Sequence, residues 1–154
     1  MTRVLFVCLG NICRSPLAEG IFKQLVEDKG LSDQISCDSC GTSNYHIGDQ
    51  PDPRTRSNAK QNGVVLNHKA RQFDAEDFYR FDLILAMDKS NLGNILNFPE
   101  SKSSNAKIQL MRDYDPDGQG LDVPDPYFGG EKGFQEVFDI LNRSCNYLID
   151  RLNS

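Results

Sequence analysis

The chain has 154 residues, 38% of them hydrophobic, and 22 acidic against 17 basic side chains give it a net charge of -5. That length suits one core in a single domain over residues 1–154, and the acidic balance argues against nucleic-acid binding, which calls for a basic patch. No apolar run approaches the roughly 18 residues of a membrane span. The cysteines number five, at irregular spacing. They read as reduced thiols of a cytoplasmic protein rather than as a disulfide framework.

Residues 3–8 read as a strand whose continuous apolar run from Val4 to Cys8 is the pattern of a strand covered on both faces. The run stops at Cys8, and Ser15 and Pro16 then read as the N-cap and first position of a helix. Leu17, Ile21 and Leu25, with Ala18, Phe22 and Val26 beside them, supply its apolar face. Residues 35–42 are a weaker strand candidate, followed by helical patterns at about 53–62 and 75–79. A strand at 82–87 leads into a helix at 89–97 capped by Asp88 or Ser90, and a further strand follows at 107–111. The Pro-, Gly- and Asp-rich stretch 113–130 is long for a loop, which usually marks function or disorder. From Phe134 to Leu152 an apolar period of 3.6 residues predicts a final helix.

Strands alternating with helices predict an α/β three-layer sandwich of the flavodoxin-like kind, with a central parallel sheet of about four strands and helices on both faces. Ligands in such folds sit beyond the carboxyl ends of the strands, and Cys8 lies at one. The loop after it, Leu9, Gly10, Asn11, Ile12 and Cys13, can curl its N–H groups toward one point, with the helix dipole behind. Gly10 and Asn11 permit left-handed turns, and Arg14 adds a planar fork matched to two phosphate oxygens. A phosphate cradle with an activated thiolate at its base points to in-line attack on phosphorus.

Spacing alone is weak, because Cys145 and Arg151 repeat C-x5-R inside the periodic final helix, where no backbone N–H is free. Context carries the signal. The segment "VCLGNICRSP" resembles the catalytic loop of the low-molecular-weight protein-tyrosine phosphatases. So do "SNYHIGDQPDPR", "HKARQF", "FDLILAMDKSN" and "PDPYFGG", in that family's order and over nearly the whole chain. The resemblance implies Cys8 as nucleophile, Arg14 as phosphate and transition-state ligand, and Asp125 as general acid and then base. It implies a network in which Asn11, Ser15, Ser39 and His68 hold the cradle's shape. It further implies pocket walls at Leu9, Tyr45, Tyr127 and Phe128. Related arginine phosphatases carry Thr at the position of Ile12, so Ile12 favours tyrosine.

The implied substrates are phosphotyrosine proteins or small aryl phosphates, with inorganic phosphate as product. No cofactor, metal, nucleic acid or membrane partner is expected, and the chain is expected to act as a monomer. Chemistry supports Asp125 independently, since a carboxylic acid can protonate the leaving oxygen and the carboxylate can then activate water. Cys13 is a candidate redox partner for Cys8.

Two patterns are decoys on this reading. "DYDPDG" at 113–118 begins like a calcium loop but has Pro124 where the bidentate Glu belongs. Cys37 and Cys40 form a C-x-x-C with no second pair to complete a zinc site. A protein-arginine phosphatase, a thiol-dependent arsenate reductase and a non-catalytic phosphate-binding module are the alternatives. The arsenate reading lacks its further cysteine pair, since residues 82–100 contain no cysteine. A Walker-type enzyme is excluded because G-x-x-x-x-G-K-[ST] is absent.

Overall fold

The computed structural model describes residues 1–126 and 130–154. In chain order the elements are β1 (Thr2–Cys8), α1 (Arg14–Asp28), β2 (Ile35–Gly41), α2 (Pro53–Gln61), α3 (Asp77–Arg80), β3 (Leu83–Ala86) and α4 (Lys89–Leu96). There follow α5 (Glu100–Ser103), β4 (Lys107–Leu110), a 3₁₀ turn (Met111–Tyr114) and α6 (Gly130–Leu152). The four strands pair in parallel in the order β2-β1-β3-β4, the predicted sheet. Strand order reverses on either side of β1, so the crevice at the carboxyl ends of β1 and β3 is the fold's natural ligand position.

Period-two alternation splits each strand between two cores. Val4, Phe6, Leu83 and Leu85 face α1, α2 and α6, where Leu17, Ile21, Phe22, Leu141 and Leu148 are buried. Phe6 meets Phe22 edge to face at 5.6 Å. Leu5, Val7, Ile84 and Ala86 face Phe73, Phe78 of α3 and Ile95 of α4. Each such side chain, fully buried, contributes about 1.5–3 kcal/mol, so both helical layers are held by hydrocarbon rather than by charge. Cys37 packs against the first core and Cys40 belongs to the second; three residues apart on a strand, they point to opposite faces and cannot share a metal.

Several expectations need correction. Helix α1 begins at Arg14, with Cys13 as N-cap and no side chain capping it. Ser15 and Pro16 therefore lie inside the first turn, and the Ser15 hydroxyl is turned to the cradle instead of capping. The short helix near 75–79 occurs at Asp77–Arg80, and α5 and the 3₁₀ turn were not anticipated. At 113–118 the carboxylates serve the protein. Asp113 accepts from the Leu110 N–H at 3.1 Å, and buried Asp115 is clamped by Arg112 and Arg143. The second C-x5-R is helical throughout, with Cys145 fully buried and Arg151 lying over the Tyr114 ring. Among the described residues no helix is long and apolar enough to cross a membrane.

Candidate active site

The loop from Cys8 to Arg14 is shaped from both sides. Thr42 N–H donates to the Cys8 carbonyl at 2.9 Å and Ser43 N–H to the Leu9 carbonyl at 3.0 Å, tying the loop to the end of β2. Gly41 makes this approach possible, because a Cβ there would stand 2.6 Å from the Leu9 carbonyl oxygen. Sequence reasoning missed Gly41, and nothing local marks it. Asn11 takes the left-handed conformation at φ 57°, one that its short polar side chain tolerates. Gly10 does not: its φ is not positive, and its bareness instead admits the His46 ring, 3.1 Å from where a Cβ would be.

Cys8 lies 3% exposed at the base of the loop. Its Sγ accepts from the Asn11 N–H at 3.2 Å and lies 2.9 Å from the Ser15 Oγ. Asn11 Nδ2 donates to Ser15 Oγ at 2.7 Å and to Ser39 Oγ at 3.0 Å, and Asn11 Oδ1 accepts from His68 Nε2 at 2.7 Å and from the Arg71 N–H at 3.1 Å. All four side chains of the expected network are thus connected. Buried amide and hydroxyl groups must be hydrogen-bonded, and here the partners fix the one loop residue in the left-handed region. Arg71, Glu19 and Asp38 extend this network and had not been singled out from the sequence.

Arg14 is almost fully buried, and its Nη1 donates to Asp88 Oδ2 at 2.8 Å and to the Val123 carbonyl at 2.9 Å. Asp88 caps α4 with its other oxygen, which accepts from the Asn91 N–H at 2.7 Å. One carboxylate therefore positions both a helix and the arginine. Asp125, half-exposed, reaches to 4.0 Å from Arg14 Nη2. Cys8, Arg14 and Asp125 line one cavity of about 240 Å³, together with Leu9, Gly10, Ile12, Cys13, Tyr45 and His46. Tyr45 is exposed at its mouth. Tyr127 and Phe128, the other expected walls, lie outside the described residues. Burial pushes the Cys13 thiol up to about 12, with the nearby Asp52 carboxylate adding to the effect. No side chain caps the start of α1, so its first N–H groups remain available to an anion in this cavity.

Fold and cavity together define an anion-binding α/β protein with a thiol at the base of its cradle. Residues 3–154 match the family model described as low molecular weight phosphotyrosine protein phosphatase. The chain is 45% identical over 149 residues to the human low molecular weight phosphotyrosine protein phosphatase, covering 96% of this chain and 94% of that one. It superimposes on a protein tyrosine phosphatase from Entamoeba histolytica with a TM-score of 0.92 at 43% identity, over 99% and 97% of the two chains. A Drosophila arginine phosphatase superimposes with a TM-score of 0.91 at 38% identity, over 100% and 99%. The chain belongs to the low molecular weight phosphotyrosine protein phosphatase family, whose members are phosphoric monoester hydrolases.

Proposed function

We propose that this chain hydrolyses phosphotyrosine in proteins, and small aryl phosphates, through a cysteinyl-phosphate intermediate formed on Cys8. The observation that carries this reading is the common cavity of Cys8, Arg14 and Asp125, with the Asn11 N–H already donating to the sulfur. The Cys8 thiolate attacks phosphorus while Arg14 and the N–H groups of residues 9 to 14 hold the equatorial oxygens, where charge builds up. Asp125 donates its proton to the departing phenolic oxygen and then, as carboxylate, takes one from the water that attacks the phosphocysteine. Inorganic phosphate leaves, and Cys8 departs as a thiolate. The Ser15 hydroxyl, whose oxygen already accepts from Asn11 Nδ2, turns its proton toward that sulfur and stabilises the leaving group.

Leu9 and Tyr45 give the cavity an apolar and an aromatic wall, which suits a flat phenyl ring. Ile12 places hydrocarbon where an arginine substrate would need an acceptor for its guanidinium. A guanidinium reader is the second reading, favoured by the likeness to the arginine phosphatase.

The test is hydrolysis in the presence of a chelator, offering phosphotyrosine and phosphoarginine peptides to wild type, Cys8→Ser and Asp125→Ala. Cys8→Ser should be inactive, and Asp125→Ala should lose about 10²–10⁴-fold on substrates with poor leaving groups. Preference for phosphoarginine would overturn the tyrosine assignment. Unchanged turnover in Cys8→Ser would overturn the mechanism.

A further inference from the structure

The catalytic cavity continues past its mouth. Leu9 and Tyr45, which line it together with Cys8, also line a second cavity of about 480 Å³, twice the volume of the first. Both shared side chains are open to solvent, Leu9 at 45% and Tyr45 at 75%, so a ligand that fills the first cavity leaves it against the second. The second cavity lies between the segment that follows β2 and the end of α4.

Its base is hydrocarbon fixed by the fold. Phe73 and Ile95 are buried members of the core on that face of the sheet, and Phe98 packs on Phe73 edge to face at 5.3 Å. Its rim is tied to the cradle. The Ser43 N–H and hydroxyl both donate to the Leu9 carbonyl at 3.0 Å, and Gln72 Nε2 donates to the Thr42 carbonyl at 3.2 Å. A ligand seated here has no loose loop to order first, which limits the entropic cost of binding.

The chemistry of this cavity is that of a peptide reader. No described residue that lines it carries a charge. Asn44, Asn94 and Asn97 line it from exposed positions, and no other described side chain engages their carboxamides. Each carboxamide can donate to a main-chain carbonyl and accept from a main-chain N–H, the contacts by which an extended peptide is held while its side chains enter pockets. Asn94, in the last turn of α4, and Asn97, its C-cap, are three residues apart and so neighbours on one side of the helix. A charged side chain would lose water here with no opposite charge to replace it, whereas an apolar one covers Phe73, Ile95 and Phe98.

We propose that this cavity is the subsite for the residues of the substrate polypeptide that flank the phosphotyrosine, and that it selects an uncharged, apolar side chain among them. The inference rests on the phosphotyrosine reading of the Cys8 site and names which phosphoproteins that site takes. The phosphorylated ring reaches down to Cys8, the main chain passes Leu9 and Tyr45, and the neighbouring side chain settles on Phe73 and Phe98 with the three carboxamides around it.

The test measures kcat/KM for phenyl phosphate and for phosphotyrosine peptides that carry Leu, Lys or Glu in turn at each flanking position of an otherwise Ala-based sequence. At the position that enters the cavity, wild type should favour Leu over Lys and Glu by about tenfold, the lower end of what an apolar pocket discriminates. Asn94→Lys places a cation in this cavity and outside the catalytic one, at a helix end whose dipole favours it. It should leave phenyl phosphate turnover unchanged, lower kcat/KM for the Leu peptide and raise it for the Glu peptide at that same position; Asn97→Lys repeats the measurement. Equal turnover of Leu, Lys and Glu peptides at every position, a wild-type preference for a charged neighbour, or an unmoved preference in both Lys variants would each overturn the subsite. A wild type that hydrolyses no phenyl phosphate would instead overturn the phosphatase reading, and the subsite with it, whereas failure of the subsite alone leaves that turnover intact.

Discussion

Arg14 Nη1 donates to Asp88 Oδ2 at 2.8 Å while the same carboxylate caps α4 through the Asn91 N–H. Asp88 lies two residues beyond the end of β3, so the arginine of the loop after β1 is aimed from the end of the strand that neighbours it in the sheet. Replacing Asp88 by Ala removes an N-cap worth about 1 kcal/mol and one partner of a buried ion pair, a loss of about 3–5 kcal/mol when nothing compensates. The Val123 carbonyl still holds the guanidinium, so the expected destabilisation is about 3 kcal/mol. KM for aryl phosphate should rise and kcat fall together. Asp88→Asn keeps an acceptor oxygen for only one of the two contacts and turns its NH2 toward the other donor, so it should recover only part of the stability; urea titration and steady-state kinetics of both variants check this.

Asn11 combines an unusual backbone with a fully engaged side chain. Asn11→Gly keeps the left-handed turn and removes the side chain, whereas Asn11→Ala adds backbone strain of about 1–2 kcal/mol. Both leave the part-buried His68 Nε2 and Arg71 N–H without Asn11 Oδ1, at up to about 1–3 kcal/mol for each unsatisfied one. The two variants should therefore lose comparable activity, with Ala the less stable by roughly 1 kcal/mol. Near-wild-type kinetics in Asn11→Gly would show that the network does not shape the cradle.

Gly41→Ala tests whether contact with β2 positions the nucleophile's loop. The new methyl group meets backbone, the Leu9 carbonyl at 2.6 Å and the Asn11 nitrogen at 3.1 Å, which cannot swing away as a side chain would. Overpacking of this kind costs about 1–3 kcal/mol. The expected outcome is a folded protein with kcat reduced at least tenfold, read by circular dichroism alongside hydrolysis of an aryl phosphate. Full activity would mean that the loop shifts without penalty.

Acid stability should depend on Asp115. Hydrogen bonds from the Arg143 and Arg112 guanidiniums hold its carboxyl down at about 2, below an unfolded value near 3.9. The unfolded chain binds the proton more readily, so this contribution is complete above about pH 4 and is lost as pH falls toward 2. A shift of that size is worth about 2–3 kcal/mol. Asp115→Asn should be less stable than wild type at pH 6, and the gap should narrow to about a third by pH 2.5; a gap independent of pH would remove Asp115 from the account.

Cys13 lines the same cavity as Cys8, and burial keeps it a thiol at neutral pH. Peroxide converts the Cys8 thiolate to a sulfenic acid with loss of hydroxide or water. We expect the Cys13 sulfur to attack that sulfenic acid, closing a disulfide with release of water and blocking further oxidation, and an added dithiol to restore both thiols. Cys13→Ser should retain basal turnover and lose most of its dithiol-dependent recovery after peroxide. Recovery equal to wild type would show that Cys8 is protected in another way.

Much of this molecule could be read from local pattern. Residues 3–8, 82–87 and the stretch from Phe134 onward were legible because strand and helix periodicities repeat over a few residues and report directly which side is buried. The cradle was legible for a related reason: its donors are consecutive backbone N–H groups, so the loop and its helix are one local object. Ser15 was misplaced as a cap because Ser-Pro is a strong local helix-start signal. The demand of a buried thiol for a hydrogen-bond partner, 2.9 Å away, outweighed it.

The partners of that cradle were decided at a distance. Asp88 is 74 residues from Arg14, and the Val123 carbonyl 109. Gly41 matters only because β2 pairs with β1 in the register that sets Cys8 beside it. Glu19, Asp38 and His68 share no element, and nothing in the order of their residues shows that they meet. Local sequence sets which conformations a segment prefers, whereas the meeting of distant side chains depends on strand order and helix packing, which are fixed only when the whole hydrocarbon core closes.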